Sequence, residues 1–210
     1  MEDKYLNDIS EIKNMMKKSS QFISLSGLAG VLAGFYALIG AFFANNLVDN
    51  FFTESFIESD FRKVPLMEYH LMIKLVLVAL LVLISSLFTA IILTYQKAKK
   101  KNESIWNLTA KRLLVNFLIP LTTGGVFGLI LLKNQYYDLL APVTLIFYGL
   151  ACVNASKYTL RDVRYLGMTI IFIGLLASSY ANYGLQFWAL GFGVCHIFYG
   201  ALMHYKYDRI

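Results

Sequence analysis

The side chain best placed to do chemistry is His196, the deepest ionisable group in an otherwise apolar stretch. An imidazole in such a place can carry a proton, contact a ligand or bind a haem iron. An ionisable residue inside a membrane span marks a functional site by default. Ala189, Gly193, Gly200 and His204 share a stripe with it at helical spacing. Tyr199 follows closely, and Tyr148 and Tyr36 occupy similar depths in two other apolar runs. A hydroxyl at that depth needs a partner, because an unsatisfied polar group in hydrocarbon is costly. Tyr36, Tyr148, Tyr199 and His196 are therefore expected to converge, with Thr144 and Cys152 on the same inward stripe as Tyr148. With no carboxylate at that depth, His196 is expected to be neutral. This makes His196, Tyr36, Tyr148, Tyr199 and Thr144 the candidate ligand-binding set. The competing reading is that the same groups only hold helices together through hydrogen bonds.

Other chemistry has little to work with. No carboxylate lies deep in an apolar run, so a proton pump or an aspartyl dyad lacks its reactive groups. No nucleophile elbow, zinc-protease helix or phosphate loop occurs. Cys152 and Cys195 lie in apolar runs without metal-type spacing. His70 falls too near a membrane surface to pair with His196 on a haem. No catalytic residue, metal or cofactor is assigned, and an enzyme is the third-ranked reading. Lys157, Arg161, Asp162 and Arg164 read as a charged loop rather than a catalytic rim. Pro120 and Thr122-Thr123-Gly124-Gly125 suggest a bend or break, which lines substrate sites in some transporters and serves packing in most proteins.

The elements that must position these groups are membrane helices. The 210 residues are 58% hydrophobic and 15% charged, with a mean hydropathy of +0.57, which excludes disorder and an ordinary soluble domain. Six apolar spans are expected, at about 22–44, 70–95, 112–132, 139–157, 166–182 and 186–204. The fold class is all-α, a polytopic six-helix bundle over residues 21–210. Fifteen of the 19 Lys and Arg fall in the N-terminal segment, 96–112, 157–164 and the C-terminal tail. The positive-inside rule then puts both termini in the cytoplasm, and the +6 net charge is topological rather than a nucleic-acid footprint. Residues 1–20 read as a cytoplasmic amphipathic segment, and 45–69 as an outer loop with an interfacial helix begun by a Ser55–Glu58 capping box. No cleavable signal peptide is expected ahead of the first span.

The first span has the clearest packing signal. Ser26, Gly30, Ala33, Gly34, Ala37 and Ala41 line one side of a helical wheel, with Gly193 and Gly200 on the last span as similar small positions. A smooth face lets another backbone approach closely, which is how helices associate in lipid. Phe147-Tyr148-Gly149 recurs as Phe198-Tyr199-Gly200, an echo compatible with a duplicated hairpin. The runs Ser19–Gly30, Asn154–Thr159 and Phe187–Gly193 resemble a group of small, uncharacterised bacterial integral membrane proteins. That resemblance covers most of the chain and implies a bacterial inner membrane without implying an activity. The leading expectation is a non-enzymatic membrane protein acting through helix association with a copy of itself or a membrane partner, with lipid around it. The second is a carrier of a small or lipid-like ligand near His196.

Overall fold

The computed structural model describes residues 25–57, 64–100, 104 and 106–208. Within them the chain is helical, without strands, and six helices are long and apolar enough to cross a membrane. They are α1 (Gly27–Ile57), α2 (Val64–Lys100), α3 (Leu108–Lys133), α4 (Leu140–Ala155, which with its flanking 3-10 turns spans Tyr137–Tyr158), α5 (Asp162–Ser179) and α6 (Gly184–Asp208). Short 3-10 turns precede α4, follow it and precede α6. The last helix is irregular: a π-helical stretch, Ala189–Val194, interrupts it, and a second, His204–Asp208, ends it. The protein is a multi-pass membrane helical bundle.

The bundle is built outward from α6. It packs against α1 on one side and against α4 and α5 on another, while α4 and α5 form the closest helix pair. Small residues explain these close approaches. A Cβ added at Gly34 would lie 2.6 Å from the Gly193 carbonyl oxygen, and one at Gly200 would lie 2.8 Å from that of Gly27. Gly149 and Gly167 do the same for α4 and α5, each facing the other's carbonyl oxygen at 2.7 Å. Leu145, Leu166, Ile170, Ile173 and Ala177 form the buried apolar core behind this pair. The two flanking helices are held differently. α2 packs on α1 and α3 on α4, and the most apolar stretch of α2 has no buried residue.

α1 and α2 run longer than the hydropathy pattern suggests. α1 continues to Ile57 and α2 starts at Val64, so most of the expected outer loop 45–69 is helix belonging to those two spans. Polar side chains there stay on their own helix: Asn45 Nδ2 donates to Asp49 Oδ2 at 2.7 Å and Thr53 Oγ1 to the Asp49 carbonyl at 2.9 Å. Ser55 Oγ likewise bonds back to Phe52 O at 3.1 Å within the helix, so it is no N-cap. Glu58, the other half of that expected capping box, and the amphipathic segment 1–20 lie outside the described residues. α3 runs through Pro120 without interruption, and Asn107 caps its start by accepting from Ala110 N–H at 2.7 Å.

Candidate functional site

His196 sits where α6 changes its winding. In an α-helix the Cys195 N–H would bond to the Gly191 carbonyl; here it bonds to Leu190, one residue further back. Gly191 thereby loses its ordinary donor, and His196 Nδ1 takes the place at 3.0 Å. A carbonyl only accepts, so Nδ1 carries the hydrogen. In the neutral ring Nε2 is then left to accept the Tyr148 hydroxyl, 2.8 Å away on α4. The ring is buried, stacked on Phe192 and tilted against Tyr148, and Trp188 closes over Phe192. One irregular turn of α6 is thus tied to α4 through an imidazole and a phenol.

A second freed carbonyl is handled the same way. Pro120 has no N–H, so the Asn116 carbonyl one turn earlier lacks a helical donor. Asn154 Nδ2 on α4 supplies it at 2.9 Å, which fastens α3 to α4. Thr122 and Thr123 return their hydroxyls to Leu118 and Ile119 on their own helix, at 2.7 and 2.8 Å. Gly124 faces Phe147 of α4, whereas Gly125 has open space around it. The Pro120–Gly125 run therefore positions a helix contact.

A third cluster lies at the end of the bundle where α1 begins and α2 and α6 end. Asp208 Oδ2 accepts from the first N–H of α1, at Gly27 (3.0 Å), and from His204 Nδ1 (2.9 Å). Its other oxygen pairs with Lys97 Nζ at 2.5 Å, and Lys97 also donates to the Leu25 carbonyl at 2.8 Å. The Lys97 and Asp208 side chains are only 12% and 10% exposed, so the pair is screened far less than a surface ion pair. Beside it Asp162 at the start of α5 accepts from Tyr207 Oη at 2.7 Å and pairs with Lys206 at 3.2 Å.

These clusters rearrange the set expected from sequence. Tyr148 and His196 are joined directly. Tyr199 packs against the same apolar core but bonds Thr169 of α5 at 3.1 Å. Tyr36 turns away to α2 and meets Thr89 Oγ1 at 3.2 Å, so the three tyrosines do not converge. Thr144 is exposed and bonds its own helix at Ala141, because Leu145 occupies the inward position beside it. On α1 the small residues split between two neighbours. Gly30 and Gly34 face α6, whereas Gly40 faces Val82 of α2. Ser26, Ala37 and Ala41 are buried and Ala33 is half-buried. Gly193 and Gly200 are the α6 counterparts, Gly193 against Leu38 and Gly200 against Val31.

Sequence reasoning missed Asn154, Gly167 and the Lys97–Asp208 pair. An asparagine inside an apolar span and a proline inside another were visible signals, but their meeting depends on the register of two helices. Among the described residues no buried side-chain nitrogen or oxygen lacks a partner, and no three His, Cys, Asp or Glu side chains gather as metal ligands. The arrangement couples helices by closing polar groups on one another. No protein-family model, curated protein or solved structure matches this chain.

Proposed function

We propose that the protein is a non-enzymatic component of a bacterial inner membrane, with both termini in the cytoplasm. It acts by associating through its outer helix faces with a second copy or another membrane protein. The observation carrying this reading is the state of α2, whose most apolar stretch buries no residue although the helix is 37 residues long. Val76, Leu80, Leu83 and Leu87 recur at helical spacing along its side away from α1, and all are exposed. Lipid can cover such a face, and so can a helix; the second option uses a flank that the rest of the bundle leaves accessible.

Three further points support the reading. Both ring nitrogens of His196 are engaged within the chain, by Tyr148 and the Gly191 carbonyl, which leaves neither free for a ligand. The smooth face of α1 is occupied by α6 and α2, so association falls to the flanks rather than to the first span. The basic ends Lys97, Lys99 and Lys100 of α2 share one end of the bundle with Lys206, which fits a common cytoplasmic side. The runs that resemble small bacterial membrane proteins support the bacterial location, and nothing in the charge pattern calls for nucleic acid.

Photo-crosslinking amino acids at Leu83 and Leu87, with Leu175 of α5 as an exposed control, test this in native membranes. The expected result is discrete protein adducts of one defined mass from the α2 positions and none from Leu175. Lipid adducts alone at all three positions would contradict it.

A further inference from the structure

The contact between α1 and α2 leaves a groove. The backbones come close at Gly40, where any side chain would run into Val82. Around that crossing lies a groove of about 570 Å³, walled by Tyr36, Ile39, Phe43 and Leu47 of α1 and Val78 and Leu81 of α2. Ile39, Phe43 and Leu81 are each more than half exposed, so it opens sideways into the bilayer. It is closed at one end by the Tyr36–Thr89 hydrogen bond, one turn below Ser85. At the other end stand Asn46 and Asn50, one turn apart, whose amides have no hydrogen-bond partner among the described residues. No charged residue lines it.

Shape and polarity together select the occupant. From Tyr36 to Asn50 the groove follows fourteen residues of α1, about 21 Å at a rise of ~1.5 Å per residue. A helix of about 10 Å diameter over that length would fill roughly 1,600 Å³. That exceeds the space within the groove, so a helix could only lie across its rim, whereas a slender chain fits inside. The wall is apolar where the bilayer is apolar, and the free amides stand at the end where α1 emerges from it. We propose that this groove holds one acyl chain of a membrane phospholipid, with the ester and phosphate oxygens of its headgroup accepting from Asn46 and Asn50. This binding site is independent of the association face, which lies on the opposite side of α2.

The test uses the full chain in vesicles of phosphatidylethanolamine and phosphatidylglycerol doped with a phosphatidylethanolamine carrying a diazirine on its acyl chain. After photolysis, adducts are mapped by peptide mass spectrometry. Several-fold enrichment is expected at Ile39, Phe43 and Leu81 over Leu129 and Phe172, which are comparably exposed outside the groove. Ser85→Phe should abolish the enrichment by filling the inner end. Asn46→Leu with Asn50→Leu, at exposed helical positions, should reduce it without disturbing the fold. Even labelling of all exposed positions would overturn the proposal. So would enrichment with a diazirine fatty acid but not with the phospholipid, or protection of the groove from both probes.

Discussion

At the scale of single residues, the recurring event is a backbone carbonyl released by a helix irregularity and captured by a side chain. Gly191 loses its donor to π-winding and gains His196; Asn116 loses its donor to Pro120 and gains Asn154. Each capture matters because hydrocarbon offers no water as a substitute. Asn154→Leu leaves the Asn116 carbonyl unsatisfied and is expected to cost about 1–3 kcal/mol. His196→Phe breaks the bond to Tyr148 and frees Gly191 again, and should cost a comparable amount, about 1–2 kcal/mol. Steric-trap unfolding in bicelles checks both. A His196→Phe protein of unchanged stability would mean that the imidazole is held for some purpose other than helix contact. The pairing of Tyr148 with His196 was partly legible, since both are polar groups carried to the same depth. Its exclusivity was not. Tyr36 and Tyr199 found the nearer threonines Thr89 and Thr169, and a residue's depth in sequence does not say which helix its hydroxyl faces.

At the scale of elements, glycine sets the spacing between helices. The crossings Gly34–Gly193 and Gly149–Gly167 bring a backbone carbonyl to within 3 Å of where a Cβ would stand. Gly200→Leu and Gly34→Leu should therefore destabilise the bundle by well over the ~1–3 kcal/mol typical of overpacking, since backbone rather than a movable side chain stands in the way. Leu32→Ala, at a half-buried position, should be much milder. Yield of folded protein on detergent size-exclusion reads the difference, and equal, mild losses in all three would refute the packing scheme. Hydropathy located all six spans, because about 20 apolar residues in a row leave few alternatives to a membrane helix. It misplaced their ends. α1 runs for 31 residues, about 46 Å, against a hydrocarbon core of ~30 Å. Helix continues past the boundary, where Asn45, Asp49 and Thr53 bond along their own helix, a pattern that hydropathy does not register. The repeated Phe-Tyr-Gly triplet is another element-level feature that the sequence displayed without its reason. In both copies the tyrosine packs on the core and the glycine admits a neighbouring backbone: that of α5 at Gly149, that of α1 at Gly200.

At the scale of the whole molecule, the core made by α1, α4, α5 and α6 is closed, and α2 and α3 are attached to its sides. The Asp208 cluster ties the far end of the sequence to the start of α1 and the end of α2. It thereby fixes the flanking helix at one end while the groove opens toward the other. A bundle with its polar interior spent on internal contacts has its remaining freedom at the surface, which is where association is assigned. Native mass spectrometry of the full chain released from a mild detergent tests that assignment most directly. A mass above that of one chain is expected, either a fixed number of copies or one copy with a defined second protein. A bare single chain, carrying nothing but lipid under conditions that keep the bundle folded, would contradict it.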